Sequence, residues 1–358
     1  ASWILPTRPV TEALCSSWKG RPWTVMDPHF AELDVGGYNY QWGQYGPDHG
    51  RFPQRIMAGT ESFPMEAFEN WDQVLRHPFV IGDFVWTAYD YLGESGIGRS
   101  WIEGQESGGF TGGWPWHIAG CGDIDLLGRR KPQSCYREVL WRPGVLHVTV
   151  HRPLKAGQVE RISRWGWPEV QSHWTWPGWE GQPLKVEVYS SCDRVRLKLN
   201  GKDLGERPTG WKEQCKDEFE VPYAPGELKA VGTVGGKRVE FTLRTAGRPA
   251  GLRLTPDRSR IRADRNDLSF VQIEVVDAKG LVVPWAEMPV SLQVTGVGEL
   301  AAVGNATPVD MARFKGPVRR AWQGTLQAIL RPTGGRGSMT LEATAEGLKT
   351  GNARVTVR

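Results

Sequence analysis

Along the second half of the chain, apolar and polar side chains alternate one for one. Leu184, Val186 and Val188 are separated by Lys185 and Glu187, and Val195, Leu197 and Leu199 by Arg196 and Lys198. A period of two sends successive side chains to opposite faces, so these runs predict half-buried antiparallel strands. Asn200-Gly201 is the turn sequence of a two-residue hairpin. Gly235-Gly236 is another, followed by Val239, Phe241 and Leu243 in alternation. The theme returns in Val271, Ile273 and Val275, in the turn Asp277 to Gly280, and in Met339, Leu341 and Ala343. Two immunoglobulin-like β-sandwiches follow, over residues 161–247 and 248–358, joined at Gly247-Arg-Pro-Ala-Gly251.

Residues 1–160 are patterned differently. Pro9 to Cys15 reads as a strand, Asp27-Pro28 as the start of a short helix through Leu33, and Leu33 to Tyr40 as a second strand. Ile56-Met-Ala58 is a short apolar run suited to a buried strand that ends at Gly59 and Thr60. Glu61 stands at its tip. Ser62 is placed to cap a helix, with Pro64 in its first turn and Phe68, Trp71 and Leu75 marking a buried face. His77-Pro78 stops that helix. Phe79 to Trp86 reads as a further buried strand. Strand, carboxylate, helix, strand is one unit of a parallel barrel or sheet, where the carboxyl ends of strands hold the chemistry. A Gly- and Trp-rich loop runs from Glu94 to Asp125, and Pro132 to Trp141 reads as a last helix. The fold class is multidomain, α/β followed by all-β.

A net charge of +4 is slight for 358 residues, and the basic residues are scattered, so no nucleic-acid surface is indicated. No apolar run approaches the roughly 20 residues needed to cross a bilayer. Cys15, Cys121, Cys135, Cys192 and Cys215 lie far apart without a CxxC pair, which excludes a disulfide scaffold and a zinc site by spacing. His147 and His151 stand four apart, but in a strand-like Val/Thr run without a third ligand. Neither a metal nor a cofactor is expected. The opening Ala-Ser-Trp-Ile-Leu-Pro lacks the charged and apolar regions of a signal peptide, and the compartment is not readable. The compositional oddity is 18 tryptophans. Indole faces stack on the C–H faces of sugars while the N–H bonds a hydroxyl, so the excess tilts towards carbohydrate.

Long segments then specify a family. Asp34-Val-Gly-Gly-Tyr-Asn-Tyr40, Asp48-His49, Gly59-Thr-Glu-Ser-Phe-Pro64 and the run from His77 to Gly98 resemble glycoside hydrolase family 2, the β-galactosidase and β-glucuronidase group. His173 to Gly181 and Leu197 to Gly205 resemble the sandwich that follows the barrel in its bacterial β-galactosidase branch. Val303-Gly-Asn305 and Gly337 to Leu348 resemble the final immunoglobulin-like domain. The resemblance implies that residues 1–160 are the C-terminal half of a TIM barrel. It implies that Glu61, at the tip of the seventh barrel strand, is the nucleophile. Tyr40, ending the sixth, would bond that carboxylate, and Trp86, ending the eighth, would floor the sugar subsite. Asn39, His49 and Glu94 are further candidates for substrate contact, Asp48-His49 being equally suited to holding a loop.

One departure is severe. The family's acid/base Glu follows an Asn on the fourth barrel strand, and this chain starts at about the fifth. No Asn-Glu pair stands near its start, and Glu12 has another context. The reading is therefore a retaining β-glycoside hydrolase, most closely a β-galactosidase, acting on a β-galactoside or related sugar, with no recognisable acid/base. The competing reading is a non-catalytic carbohydrate-binding or structural remnant of such an enzyme. A half barrel leaves edge strands and an open core, so a homodimer covering the open side is expected. Such pairing would let Asp90 or Glu94 of the partner subunit approach Glu61.

Overall fold

The computed structural model describes residues 26–104 and 112–358. The expected strand Pro9 to Cys15, with Glu12, lies outside them. The chain divides into two compact units. One contains the stretch up to Ser62 together with Glu69–Val85; the other contains Phe63–Phe68 and Trp86–Arg358.

The first unit is built on three parallel strands in the order β1 (Val35–Asn39), β2 (Ile56–Ser62) and β3 (Val80–Val85). Gly37 stands beside Ala58, Met57 beside Val80 and Ser62 beside Val85. Phe30, Tyr38, Tyr45, Met57 and Val80 form the core, with Phe30 stacked on Tyr38 at 4.7 Å and Tyr45 edge-on to it. The first helix is shorter than expected, Asp27–Phe30.

Four details differ from the sequence reading. β2 does not end at Thr60. It continues through Ser62, whose hydroxyl donates to the Asp83 carboxylate at 3.2 Å on β3, so Ser62 belongs to the sheet and caps nothing. A 3₁₀ turn, Pro64–Glu66, precedes the helix Ala67–Arg76. The buried stripe of that helix is rotated by about one residue from the expected one. Ala67 and Asn70 are buried, whereas Leu75 is 59% exposed. The apolar run of β3 is likewise not buried throughout, Ile81 being 61% and Phe84 64% exposed. An apolar run is ambiguous about how many of its faces are covered, and among the described residues β3 has a neighbour on one side only.

The second unit is mostly β. Tyr91–Leu92 pairs with Ile118–Ala119, and Ser100–Ile102 with Glu160–Ile162, so the expected long loop is pinned at both ends. The helix Cys135–Trp141 buries Tyr136, Val139 and Leu140. Tyr136 donates its hydroxyl to the Gln214 carbonyl at 2.6 Å, fixing the helix to the first sandwich. That sandwich has two four-stranded sheets. One runs Lys216–Pro222, Pro183–Ser190, Leu146–His151, Val170–Gln171; the other Lys202–Pro208, Arg194–Leu199, Glu227–Val234, Lys237–Arg244. Leu146–His151 precedes the boundary expected at 161, yet it pairs with Pro183–Ser190 and places Val148 and Val150 in the core. Both expected hairpin turns are present, with Asn200, Gly201, Gly235 and Gly236 all at positive φ.

The second sandwich packs a four-stranded sheet (Pro249–Pro256, Ser269–Asp277, Thr325–Pro332, Gly298–Gly304) around a core that includes Val271, Ile273, Leu326, Met339 and Val355. Its other sheet has five strands, from Arg260–Ile261 through Gly351–Val357, Gly337–Thr344 and Pro289–Gly296 to Val318–Arg320. Asp277 closes the expected turn by accepting from the N–H groups of Lys279 and Leu281, and it also accepts from Gly247 in the connecting segment. Among the described residues, no helix is long and apolar enough to cross a membrane.

Trp174 is fully buried in the first sandwich, and its indole N–H donates to the Ala224 carbonyl at 2.9 Å. Its truncation removes a large packed ring and leaves that carbonyl unpaired. Trp174→Ala is expected to cost about 3–5 kcal/mol in denaturant unfolding. Trp285→Ala, at a ring 48% exposed, is expected to stay within about 0.5 kcal/mol of the parent.

Candidate active site

Parallel pairing brings the carboxyl ends of β1, β2 and β3 to one edge of their sheet. Glu61 stands there on β2, directly beside Asn39 on β1, across an irregularity in register after Tyr38. The Tyr40 N–H donates to the Glu61 carbonyl at 2.6 Å, and Tyr40 turns the chain away with φ of 59°. Thr60 donates its hydroxyl to the Asn39 side-chain oxygen at 2.7 Å. Asn39, Tyr40 and Glu61 are thus brought together by backbone register. The Glu61 side chain is half-buried, and no donor among the described residues bonds its carboxylate.

Two polar groups crowd the strand just below. A Cβ added at Gly59 would lie 2.8 Å from both the Asp83 carboxylate and the Tyr45 hydroxyl. Gly59 therefore lets β2 approach these groups more closely than any other residue could. Burial, and then the Asp83 charge, pushes the Tyr45 phenol well up, so it stays a neutral hydroxyl. Asp83 and Tyr45 were not singled out in the sequence. Asp83 lies within the family-like run, and the glycine opposite it was the available signal.

His49 is placed elsewhere. Its ring stacks on Phe79 at 3.6 Å. Phe79 accepts from the Met57 N–H, at the opposite end of β2 from Glu61, four residues or roughly 13 Å away along the strand. The neighbouring Asp48 is a buried structural hub. It accepts from the Tyr38 hydroxyl at 2.8 Å and pairs with Arg51 at 2.6 Å and Arg55 at 3.3 Å, while Arg51 also holds Asp27 at 2.6 Å. Tyr38 is pushed up to about 12, chiefly by burial. The pair Asp48-His49 fixes the helix Tyr45–Arg51 against β1 and does not reach the carboxyl edge of the sheet.

In the second unit, Trp86 sits edge-on to Tyr91 at 6.4 Å, and Tyr91 donates its hydroxyl to the exposed Glu94 carboxylate. Burial and that carboxylate raise the Tyr91 phenol. Trp86 and Glu94 thus form one polar–aromatic group through Tyr91. Asp90 behaves differently. It is buried and accepts from the Gly122 N–H and from the Lys131 ammonium, each at 2.8 Å. It is spent within its own chain, which removes it as a carboxylate offered to a neighbouring subunit.

The histidine pair does not act as a unit. His147 faces Glu138 at 3.2 Å, and His151 faces Glu187 at 3.1 Å. His151, Glu187 and Glu218 lie close enough to hold a metal ion, but Tyr189 donates to Glu187 and Lys185 neutralises Glu218 at 2.6 Å. Cys121, Cys135, Cys192 and Cys215 are free thiols.

Glycoside hydrolase family 2 C-terminal domain 5 matches residues 252–354, and a domain of unknown function matches residues 181–240. Over 283 residues the chain is 33% identical to beta-galactosidase BoGH2A of Bacteroides ovatus, covering 78% of this chain and 29% of that protein. It is 28% identical over 272 residues to a putative beta-glucuronidase of Formosa agariphila, covering 75% and 23%. The crystal structure of a glycosyl hydrolase family 2 member from Bacteroides cellulosilyticus is similar at 36% identity and a TM-score of 0.84, covering 93% of this chain and 43% of that one. The chain thus spans less than a third of the length of these two curated relatives.

Gly59→Ala forces a methyl group against Asp83 and Tyr45, and it is expected to destabilise the protein by about 1–3 kcal/mol in urea unfolding. Gly50→Ala is the control. Gly50 lies in the helix Tyr45–Arg51 with open space around it, and alanine there is expected to be neutral or to stabilise by up to about 1 kcal/mol.

Proposed function

We propose that this chain, which belongs to glycoside hydrolase family 2 and corresponds to the C-terminal portion of its members, carries the nucleophile side of a retaining β-glycosidase site. The observation that supports this most is Glu61 at the carboxyl end of the middle strand of a parallel sheet, in register with Asn39 and tied to Tyr40. In this reading β1, β2 and β3 are the sixth, seventh and eighth strands of a TIM barrel whose C-terminal half spans residues 1–160. The sandwiches assigned to 161–247 and 248–358 follow it. The relatives named beta-galactosidase and beta-glucuronidase make a β-glycoside the substrate class, and the 33% identity to the beta-galactosidase favours a β-galactoside.

The chemistry follows from the residue types. The Glu61 carboxylate attacks the anomeric carbon. A glycosyl–ester bond forms while the bond to the leaving oxygen breaks, and that oxygen takes the electron pair. In the substrate complex Tyr40 turns its hydroxyl to the Glu61 carboxylate and holds it for attack, a side-chain bond added to the backbone tie between them. Asn39, in register with Glu61, is a polar contact of the sugar. His49 is left out, since its ring is packed on Phe79. Retention needs a second carboxyl roughly 5–5.5 Å from the first, and acid–base help is worth roughly 10²–10⁴-fold. An aryl glycoside with an acidic phenol needs little protonation on departure. Such a substrate therefore reports on Glu61 alone.

Incubation with a dinitrophenyl β-galactoside is expected to release phenol and to leave one glycosyl residue on the peptide containing Glu61, read by intact and peptide mass spectrometry. Glu61→Gln should abolish both signals. Tyr40→Phe should lower the rate at least about tenfold with little change in melting temperature. Phenol release unaffected by Glu61→Gln would refute the assignment, and sugar affinity without phenol release, unaffected by that substitution, would favour a binding or structural module.

The homodimer belongs to the same proposal. Ile81 and Phe84 expose large apolar side chains on β3, and Val35 and Ile56 do so on β1 and β2. A second copy of the chain would cover them. Light scattering at micromolar concentration is expected to give twice the chain mass, and Ile81→Lys with Phe84→Lys to give the single mass. A monomeric parent protein would overturn the pairing.

A further inference from the structure

Between the Trp167–His173 stretch, the end of the strand Lys237–Arg244 and the loops of the second sandwich lies a cavity of about 1010 Å³. All of it belongs to the second unit. That volume is at the upper end of what small-molecule sites offer, enough for several sugar rings. Trp116, Trp167 and Trp322 line it, together with Arg152, Glu169 and Gln323.

Two donors here are unsatisfied, and a carboxylate beside them is only partly satisfied. The Trp167 side chain is 7% exposed and its indole N–H has no acceptor. The Arg152 Nε–H also lacks one, although the same guanidinium donates to Glu160 at 2.8 Å and to Ser100 at 3.3 Å. Glu169 has no ion pair among the described residues. Its one side-chain donor is the Gln171 amide at 2.8 Å. Burial raises the Glu169 carboxyl, a rise that the Arg152 charge and the Gln171 amide oppose without cancelling. Buried polar groups without partners are uncommon and costly, and two orphaned donors beside a carboxylate with a single donor call for a ligand that supplies both acceptors and donors.

We propose that this cavity, lined by both sandwiches and by the segment 90–133 that precedes them, is a saccharide-binding site independent of Glu61 that takes a neutral oligosaccharide. Sugar hydroxyls donate to Glu169 and accept from Trp167 and Arg152. The faces of Trp116 and Trp322 cover the C–H faces of the rings. An anionic ligand is disfavoured, because most of the lining cations are already paired with carboxylates. Lys131 is held by Asp90, Arg129 by Asp125, Arg130 by Glu138 and Arg244 by Glu227. A purely apolar ligand would leave Glu169 and Arg152 desolvated. The choice of saccharide over other neutral polyols rests on the glycosidase reading; the cavity and its unsatisfied groups do not.

The test uses Glu61→Gln protein, so that no sugar is turned over. Neutral β-linked oligosaccharides of galactose, glucose, xylose and mannose are titrated by calorimetry, with saturation-transfer NMR as a second reading. At least one is expected to bind. Glu169→Gln, which keeps the shape, and Trp322→Ala should each weaken it by about tenfold or more, at unchanged melting temperature. Failure of every oligosaccharide to bind overturns the proposal, as does binding that neither substitution weakens. Absence of aryl-glycoside turnover in the parent protein would instead sink the role of Glu61 and leave this result standing, so the two failures are distinguishable.

Discussion

Parallel pairing of β2 with a strand on each side is the constraint on which the candidate site depends. Antiparallel neighbours would send Asn39 and Val85 to the edge away from Glu61. Parallel ones collect the strand tips on one edge, and the backbone sets Glu61 beside Asn39 with no help from side chains. The close fit of β2 to β3 then requires Gly59, because the Asp83 carboxylate and the Tyr45 hydroxyl occupy the space a methyl group would take. The charged hub at Asp48, which holds Tyr38, Arg51 and Arg55, serves the other end of the same sheet. Such a hub fixes one arrangement, since an unpaired Asp48 in that buried place would be costly.

What was legible in the sequence followed the strength of the periodicity. The strands of both sandwiches alternate cleanly, and their glycine turns need positive φ, so pattern and turn chemistry agree. The parallel strands were found too, but their bounds and burial were not. Apolar runs such as Ile56–Ala58 and Phe79–Trp86 do not say where pairing stops or which face is covered. Ser62 reads as a helix cap by type. Only the position of Asp83 on the neighbouring strand shows that its hydroxyl serves the sheet. Leu146–His151 was assigned upstream of the sandwich because its partner, Pro183–Ser190, is distant in sequence.

The tryptophan excess has two causes that composition cannot separate. Trp174 is a packing residue of the first sandwich. Trp167 and Trp322 line a cavity, and Trp86 stands against Tyr91. The same residue type thus supplies area to a core and flat faces to a cleft. What distinguishes the two uses is the indole N–H. In Trp174 it is satisfied by a backbone carbonyl; in Trp167 it is not.

The question of a second carboxyl is narrowed by how the acidic side chains are already used. A general acid must hold a proton near neutral pH and release it to the leaving oxygen, which requires a raised carboxyl with a free oxygen. Burial does raise Asp90, but Lys131 and the Gly122 N–H oppose the rise and occupy the carboxylate, so its proton and its geometry are both committed. Glu94 is exposed and accepts from Tyr91. It keeps a free oxygen in water. Of the two carboxylates that subunit pairing would offer to Glu61, Asp90 is therefore occupied by its own bonds, and Glu94 is the one with an oxygen to spare. The pairing and the acid are one physical question, because the surface that covers the sheet would also have to carry the second carboxyl to Glu61.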